Sequence, residues 1–101
     1  KNLFKNNKRE QLREFLKENA LILDVRTPAE FKSGHVKSAK NIPLADINKN
    51  ISKIKKHGKP VITYCASGMR SAQAAGILRQ HNIEVLNAGT ALSVNRAIEE
   101  V

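Results

Sequence analysis

Leu12, Phe15 and Leu16 recur at helical spacing within residues 8–18, and the apolar positions that follow, Ala20-Leu21-Ile22-Leu23, run without interruption over the length of a strand. The first pattern predicts an amphipathic helix and the second a buried strand. Thr27-Pro28-Ala29-Glu30 places a hydroxyl at an N-cap, proline at the first helical position and a glutamate three residues after the cap. This is the order of a capping box, so a short helix should begin there and stop near Gly34. Asn41-Ile42-Pro43-Leu44 can supply a brief strand at most, because Pro43 has no amide hydrogen to give to a ladder. Ile47, Ile51 and Ile54 mark one face of a helix. After Gly58 and Pro60, Val61-Ile62-Thr63-Tyr64 is the strongest strand signal in the chain, with Cys65 at its carboxyl end. Residues 71–80 are alanine-rich with Ile77 and Leu78 on one face. Glu84-Val85-Leu86 reads as a further strand, and Leu92, Val94, Ala97 and Ile98 as a closing helix.

Strands that alternate with helical segments predict an α/β fold, a small parallel β-sheet flanked by helices on both faces. Ligands of such sheets bind beyond the carboxyl ends of the strands, a rim occupied here by residues 24–28 and 65–70. The 101 residues, 41% hydrophobic and without internal repeat, fit one domain over residues 1–101. No apolar run is long enough to span a bilayer, and the first nineteen residues lack the apolar stretch of a signal peptide. A cytoplasmic location is expected, although the opening at Lys1 leaves a processed export form open.

Charge narrows the partners. Eighteen Lys and Arg against nine Asp and Glu give a net charge of +9, with the basic residues crowded in residues 1–17 and 49–59. Those stretches alternate with apolar residues at helical spacing, and aromatics make up only 4% of the chain, too few for base stacking. They read as solvated faces that modestly steer anions, with docking to an acidic acceptor protein or to nucleic acid as the alternative; tight nucleic-acid binding is not expected, nor is a membrane. A monomer or weak homodimer is expected. One cysteine cannot form an intramolecular disulfide, and His35, His57 and His81 are too scattered for a metal site, so neither metal nor cofactor is expected.

Cys65 therefore either packs or reacts. It opens the loop Cys65-Ala66-Ser67-Gly68-Met69-Arg70, which joins a strand to a helix and carries small side chains at positions 66 to 68. Small residues let backbone amides turn inward as an anion-binding nest, and the following helix adds the positive end of its dipole. A thiol held this way titrates at about 3.5–7.5 instead of about 8.5. Arg70 strengthens the case: a cation at a helix N-terminus calls for a compensating anion, either a substrate or a carboxylate such as Asp24.

Asp24-Val25-Arg26-Thr27-Pro28-Ala29-Glu30-Phe31, followed by Gly34-His35-Val36 and Asn41-Ile42-Pro43, resembles the first signature of rhodanese-like domains, and the stretch from Tyr64-Cys65 to Arg70-Ser71 resembles their active loop. The resemblance covers residues 21–89. It implies a sulfurtransferase in which Cys65 is the nucleophile, takes a sulfane sulfur from a small donor such as thiosulfate, keeps it as a persulfide and gives it to cyanide or a thiol. Residues Ala66, Ser67, Gly68, Met69 and Arg70 would cradle the terminal sulfur, without cofactor or metal. The sequence departs from the family at Ser38, where glycine is common, and at Gly89-Thr90 with Ser93-Val94, which replace a glycine pair and a downstream tryptophan.

The remaining signature residues read as architecture. Glu30 completes the capping box, Arg26 is expected to pair with Glu30 or Asp24, Asp24 to brace the active loop, and His35 to be structural rather than a base. Two other functions compete. Phosphatases and arsenate reductases also end a cysteine nest with arginine, but with five intervening residues where this chain has four, a ring sized towards one sulfur instead of a tetrahedral oxyanion. An interaction or sulfur-relay module on the same fold would use the domain to recognise a partner.

Overall fold

The computed structural model describes residues 7–101; the basic cluster expected from residue 1 onward lies partly outside them. Helix α1 (Lys8–Lys17) is capped by Asn7, whose side chain accepts from the Glu10 amide, and Asn19 ends the turn in the left-handed region at φ 61°. Strand β1 (Leu21–Asp24) leads to α2 (Pro28–Lys32), which begins at the expected capping box with both reciprocal bonds between Thr27 and Glu30. Strand β2 (Lys40–Asn41) is two residues long and stops before Pro43. Two 3-10 turns, at Leu44–Asp46 and Asn48–Asn50, precede α3 (Ile51–His57), so Ile47 lies between the turns and only Ile51 and Ile54 share the helix.

Strand β3 (Val61–Cys65) is buried at every position. Then follow α4 (Met69–Gln80), β4 (Val85–Thr90) and α5 (Ala91–Glu99), the last capped by Thr90. All pairings are parallel, in the order β2-β1-β3-β4. Alternation along the strands divides the core in two. Leu23, Val61 and Cys65 face α3 and α4 with Ile54, Ala74 and Leu78, whereas Ile22, Ile62 and Tyr64 face α1 and α5 with Leu12, Val94 and Ala97. Glu100, just beyond α5, pairs with Arg9 and with Arg13 of α1, the latter at 2.6 Å. No helix among the described residues is long and apolar enough to cross a membrane.

Candidate active site

The central strand β3 carries Cys65 to the carboxyl rim, where its side chain is 2% exposed. Gly68 follows at φ 101° and ψ −9°, a left-handed turn open to glycine, and this brings its amide back to 3.0 Å from Cys65 Sγ. The amide and hydroxyl of Ser71 each lie 3.4 Å from the same sulfur. Helix α4 has no side-chain cap from Gly68. The sulfur takes that place, because Ser71 is the third helical residue and its amide has no partner within the helix. The helix thus begins at Met69, two residues before the expected start, with Met69 and Arg70 in its first turn.

Burial pushes the Cys65 thiol up, but the Ser71 hydroxyl and the amides of Ser71, Gly68 and Ser67 outweigh it and lower the thiol to about 7. Main-chain donors do this without placing a neutralising charge on the sulfur. Ala66, Ser67 and the 75% exposed side chain of Met69 leave the outer side of the loop open.

Besides Ser71, two further residues outside the sequence-predicted set hold the cradle. Thr63 donates its hydroxyl to the Ser71 carbonyl at 3.0 Å from inside the sheet. Asn87 donates from Nδ2 to the Gly68 carbonyl at 3.3 Å and accepts the Gly89 amide at 2.9 Å. It does so where β4 carries one residue more than β3, with Thr63 opposite Asn87 and Tyr64 opposite Gly89. The signal for Ser71 was present, a hydroxyl beside the arginine. Asn87 had only a polar residue and a glycine at the end of an apolar run.

Asp24 does not reach the active loop. It is fully buried and accepts from Tyr64 Oη at 2.7 Å, from the Arg26 amide at 2.9 Å and from Arg26 Nη2 at 2.6 Å. Register explains the correction: Asp24 pairs with Tyr64, so both point to the α1 and α5 face, opposite to Cys65. Tyr64 in turn accepts the Val36 amide at 3.0 Å, and Arg26 also donates to the Gly34 carbonyl at 2.7 Å. Burial pushes the Asp24 carboxyl up, yet hydrogen bonds from Arg26 and Tyr64 hold it below the usual range. Burial and Asp24 push Tyr64 up to about 12 against the opposing Val36 amide.

Arg70 finds its anion in Glu30, not in Asp24. Nη1 and Nη2 meet Oε1 and Oε2 at 2.8 and 3.1 Å, a bidentate pair between the first turns of α4 and α2. Glu30 therefore does not bind Arg26, which Asp24 already occupies. His35 stacks on Phe31 with ring centroids 3.5 Å apart and its Nδ1 is 2.7 Å from the Phe31 carbonyl.

Residues 8–93 match the rhodanese-like domain. A sulfurtransferase of Allochromatium vinosum is 41% identical over 71 residues, covering 69% of this chain and 65% of the relative. The thiosulfate sulfurtransferase PspE of Escherichia coli is 36% identical over 69 residues, 66% of each. The crystal structure of a rhodanese-related protein from Thermoplasma volcanium superposes with a TM-score of 0.69 at 30% identity, over 91% of this chain and 88% of that one. Both curated relatives are matched over less than two thirds of their own length. With a buried cysteine held by main-chain donors at the carboxyl end of the central parallel strand, and a family match over most of its length, the chain belongs to the rhodanese-like domain family.

Proposed function

We propose that the chain is a sulfurtransferase acting through a Cys65 persulfide. The thiolate attacks the outer sulfur of a donor such as thiosulfate; the new Cys65 S–S bond forms as the donor's S–S bond breaks, and sulfite leaves with the bonding electrons. Cyanide or a thiolate then takes the outer sulfur and returns Cys65 to the thiolate. The observation that carries this reading is the convergence of the Gly68 amide and the Ser71 amide and hydroxyl on Cys65 Sγ at 3.0–3.4 Å. Donors of the same loop, residues 66–70, would receive the charge of the terminal sulfur about 2 Å further out, as an oxyanion hole receives oxygen. Loading exchanges one S–S bond for another; unloading breaks the Cys65 S–S bond as a C–S bond to cyanide or an S–S bond to the acceptor thiolate forms, and no cofactor or metal enters either step.

After treatment with thiosulfate, intact-protein mass spectrometry should show an adduct of one sulfur, removed by cyanide or dithiothreitol and absent from Cys65→Ser. An aryl phosphate should not turn over, because four residues between Cys65 and Arg70 close a ring too small for a phosphoryl group. Hydrolysis of aryl phosphate through Cys65, with no sulfur adduct, would overturn the reading.

A second reading, delivery of sulfur to a protein acceptor, is favoured by one feature. Among the described residues Met69 and Leu92, 75% and 59% exposed, are large apolar side chains in the first turns of the helices leaving β3 and β4. Such a rim suits a protein thiol better than a small ion, and a charge of +9 suits an acidic partner. Leu92→Ser should slow transfer to a protein thiol while transfer to cyanide stays unchanged; equal rates with both acceptors would remove this reading.

A further inference from the structure

The active loop contributes one cation, Arg70, and it is already engaged. Both of its terminal nitrogens are bonded to Glu30. The Glu30 carboxylate is fixed in turn, since Oε1 also accepts the Thr27 amide at 2.9 Å and the Thr27 hydroxyl at 3.1 Å. The Arg70 hydrogen bonds, followed by the Thr27 amide, lower Glu30 to about 2, so the pair stays charged at any working pH. The other nearby guanidinium, Arg26, is committed to Asp24 and the Gly34 carbonyl. Ala66, Ser67, Gly68 and Met69 carry no charge. A chain of net charge +9 thus presents its nucleophile beside neutralised arginines.

This bears on the donor. A dianion such as thiosulfate must either detach Arg70 from Glu30 or lie beside a carboxylate, whereas a donor of lower charge does neither. We infer that Glu30 is a specificity-determining residue that occupies Arg70 and thereby favours sulfane donors of charge −1 or 0 over dianionic thiosulfate. The inference rests on the persulfide reading above and names its donor class. It assigns Glu30 no part in the bond exchange. With methanethiosulfonate, for instance, the Cys65 thiolate forms the S–S bond to the outer sulfur and methanesulfinate leaves with the electron pair.

Glu30→Gln tests it, because glutamine at the third helical position keeps the capping box while releasing Arg70. The measurement is KM and kcat for Cys65 persulfide formation with thiosulfate and with methanethiosulfonate, one charge apart with closely similar leaving groups. Glu30→Gln should lower the thiosulfate KM by about two- to fivefold, the range of a part-exposed ion pair. Its kcat should stay level, the methanethiosulfonate KM should shift less, and the gain should vanish when Arg70→Ala is added. A structural role for Glu30 would produce a loss instead. An unchanged or raised thiosulfate KM overturns the inference, as does a gain that persists undiminished with Arg70→Ala, since that is plain removal of a negative charge. Should Glu30→Gln not fold, Arg70→Gln serves: it leaves the carboxylate uncompensated, so the thiosulfate KM should rise more than the methanethiosulfonate KM, and equal rises overturn the proposal. Sulfur adducts from both donors with an unmoved ratio defeat this inference alone. If neither donor loads wild-type Cys65, the proposed function falls as well.

Discussion

The two loops that leave the carboxyl ends of β1 and β3 hold negative charge by opposite means. At β1 the Asp24 carboxylate is bonded to Arg26 and to the Tyr64 hydroxyl and has no exposed surface. At β3 the Cys65 sulfur is held by two amides and a hydroxyl and is reached past small, exposed neighbours. An ion pair cancels charge and closes the corner; amides stabilise charge while leaving it uncancelled, the condition for a nucleophile. Strand alternation keeps the two apart, since Tyr64 and Cys65 are adjacent in sequence but face opposite layers of the core.

The largest expected effect breaks the closed side. Asp24→Ala leaves Arg26 and the Tyr64 hydroxyl facing a vacated site, and loss of one partner of a buried pair costs about 3–5 kcal/mol. Urea denaturation should show that loss at pH 7, and a loss under about 1 kcal/mol would mean that solvent already screens the corner. Gly68→Ala acts on the open side with a smaller cost. At φ 101° the added methyl is strained by about 1–2 kcal/mol, and its Cβ would stand 3.4 Å from the Gly89 Cα. The amide now 3.0 Å from the sulfur should shift, so alkylation of Cys65 at pH 7 should slow along with the stability loss; unaltered alkylation would show that Gly68 does not tune the thiol.

Ser71→Ala should change stability least and the thiol selectively. Removing the hydroxyl donor raises the Cys65 thiol above about 7, the thiolate fraction at pH 7 falls, and the pH midpoint of iodoacetamide labelling moves upward. A midpoint that stays in place would assign the whole lowering to the amides.

Local features were legible in the sequence. The capping box at Thr27 to Glu30 and the apolar run of β3 each depend on residues within a few positions, and both formed as expected. Partners were not. Arg70 and Glu30 are forty positions apart, and only the packing of α2 against the start of α4 decides between Glu30 and Asp24. Strand β4 runs on to Thr90, and the extra residue at Asn87 to Gly89 accompanies the turn of the Asn87 side chain to the Gly68 carbonyl, a geometry hidden behind what reads as the end of an apolar stretch. The early start of α4 is not legible in the sequence because its cap is a sulfur from the preceding strand instead of a serine or aspartate at the helix entrance.

That cap makes the folding equilibrium a gauge of the chemical state of Cys65. Since the native thiol is lowered to about 7 from about 8.5 in a free cysteine, Cys65 binds more protons in the unfolded chain than in the native one between those values. Resistance to denaturant therefore climbs with pH across that window, and the increment disappears as pH drops through about 7. Loading or blocking the sulfur would alter the acceptor that anchors the first turn of α4, so thiol, loaded and alkylated forms are expected to melt at different temperatures, and a thermal scan would then follow occupancy with no sulfur acceptor in the tube.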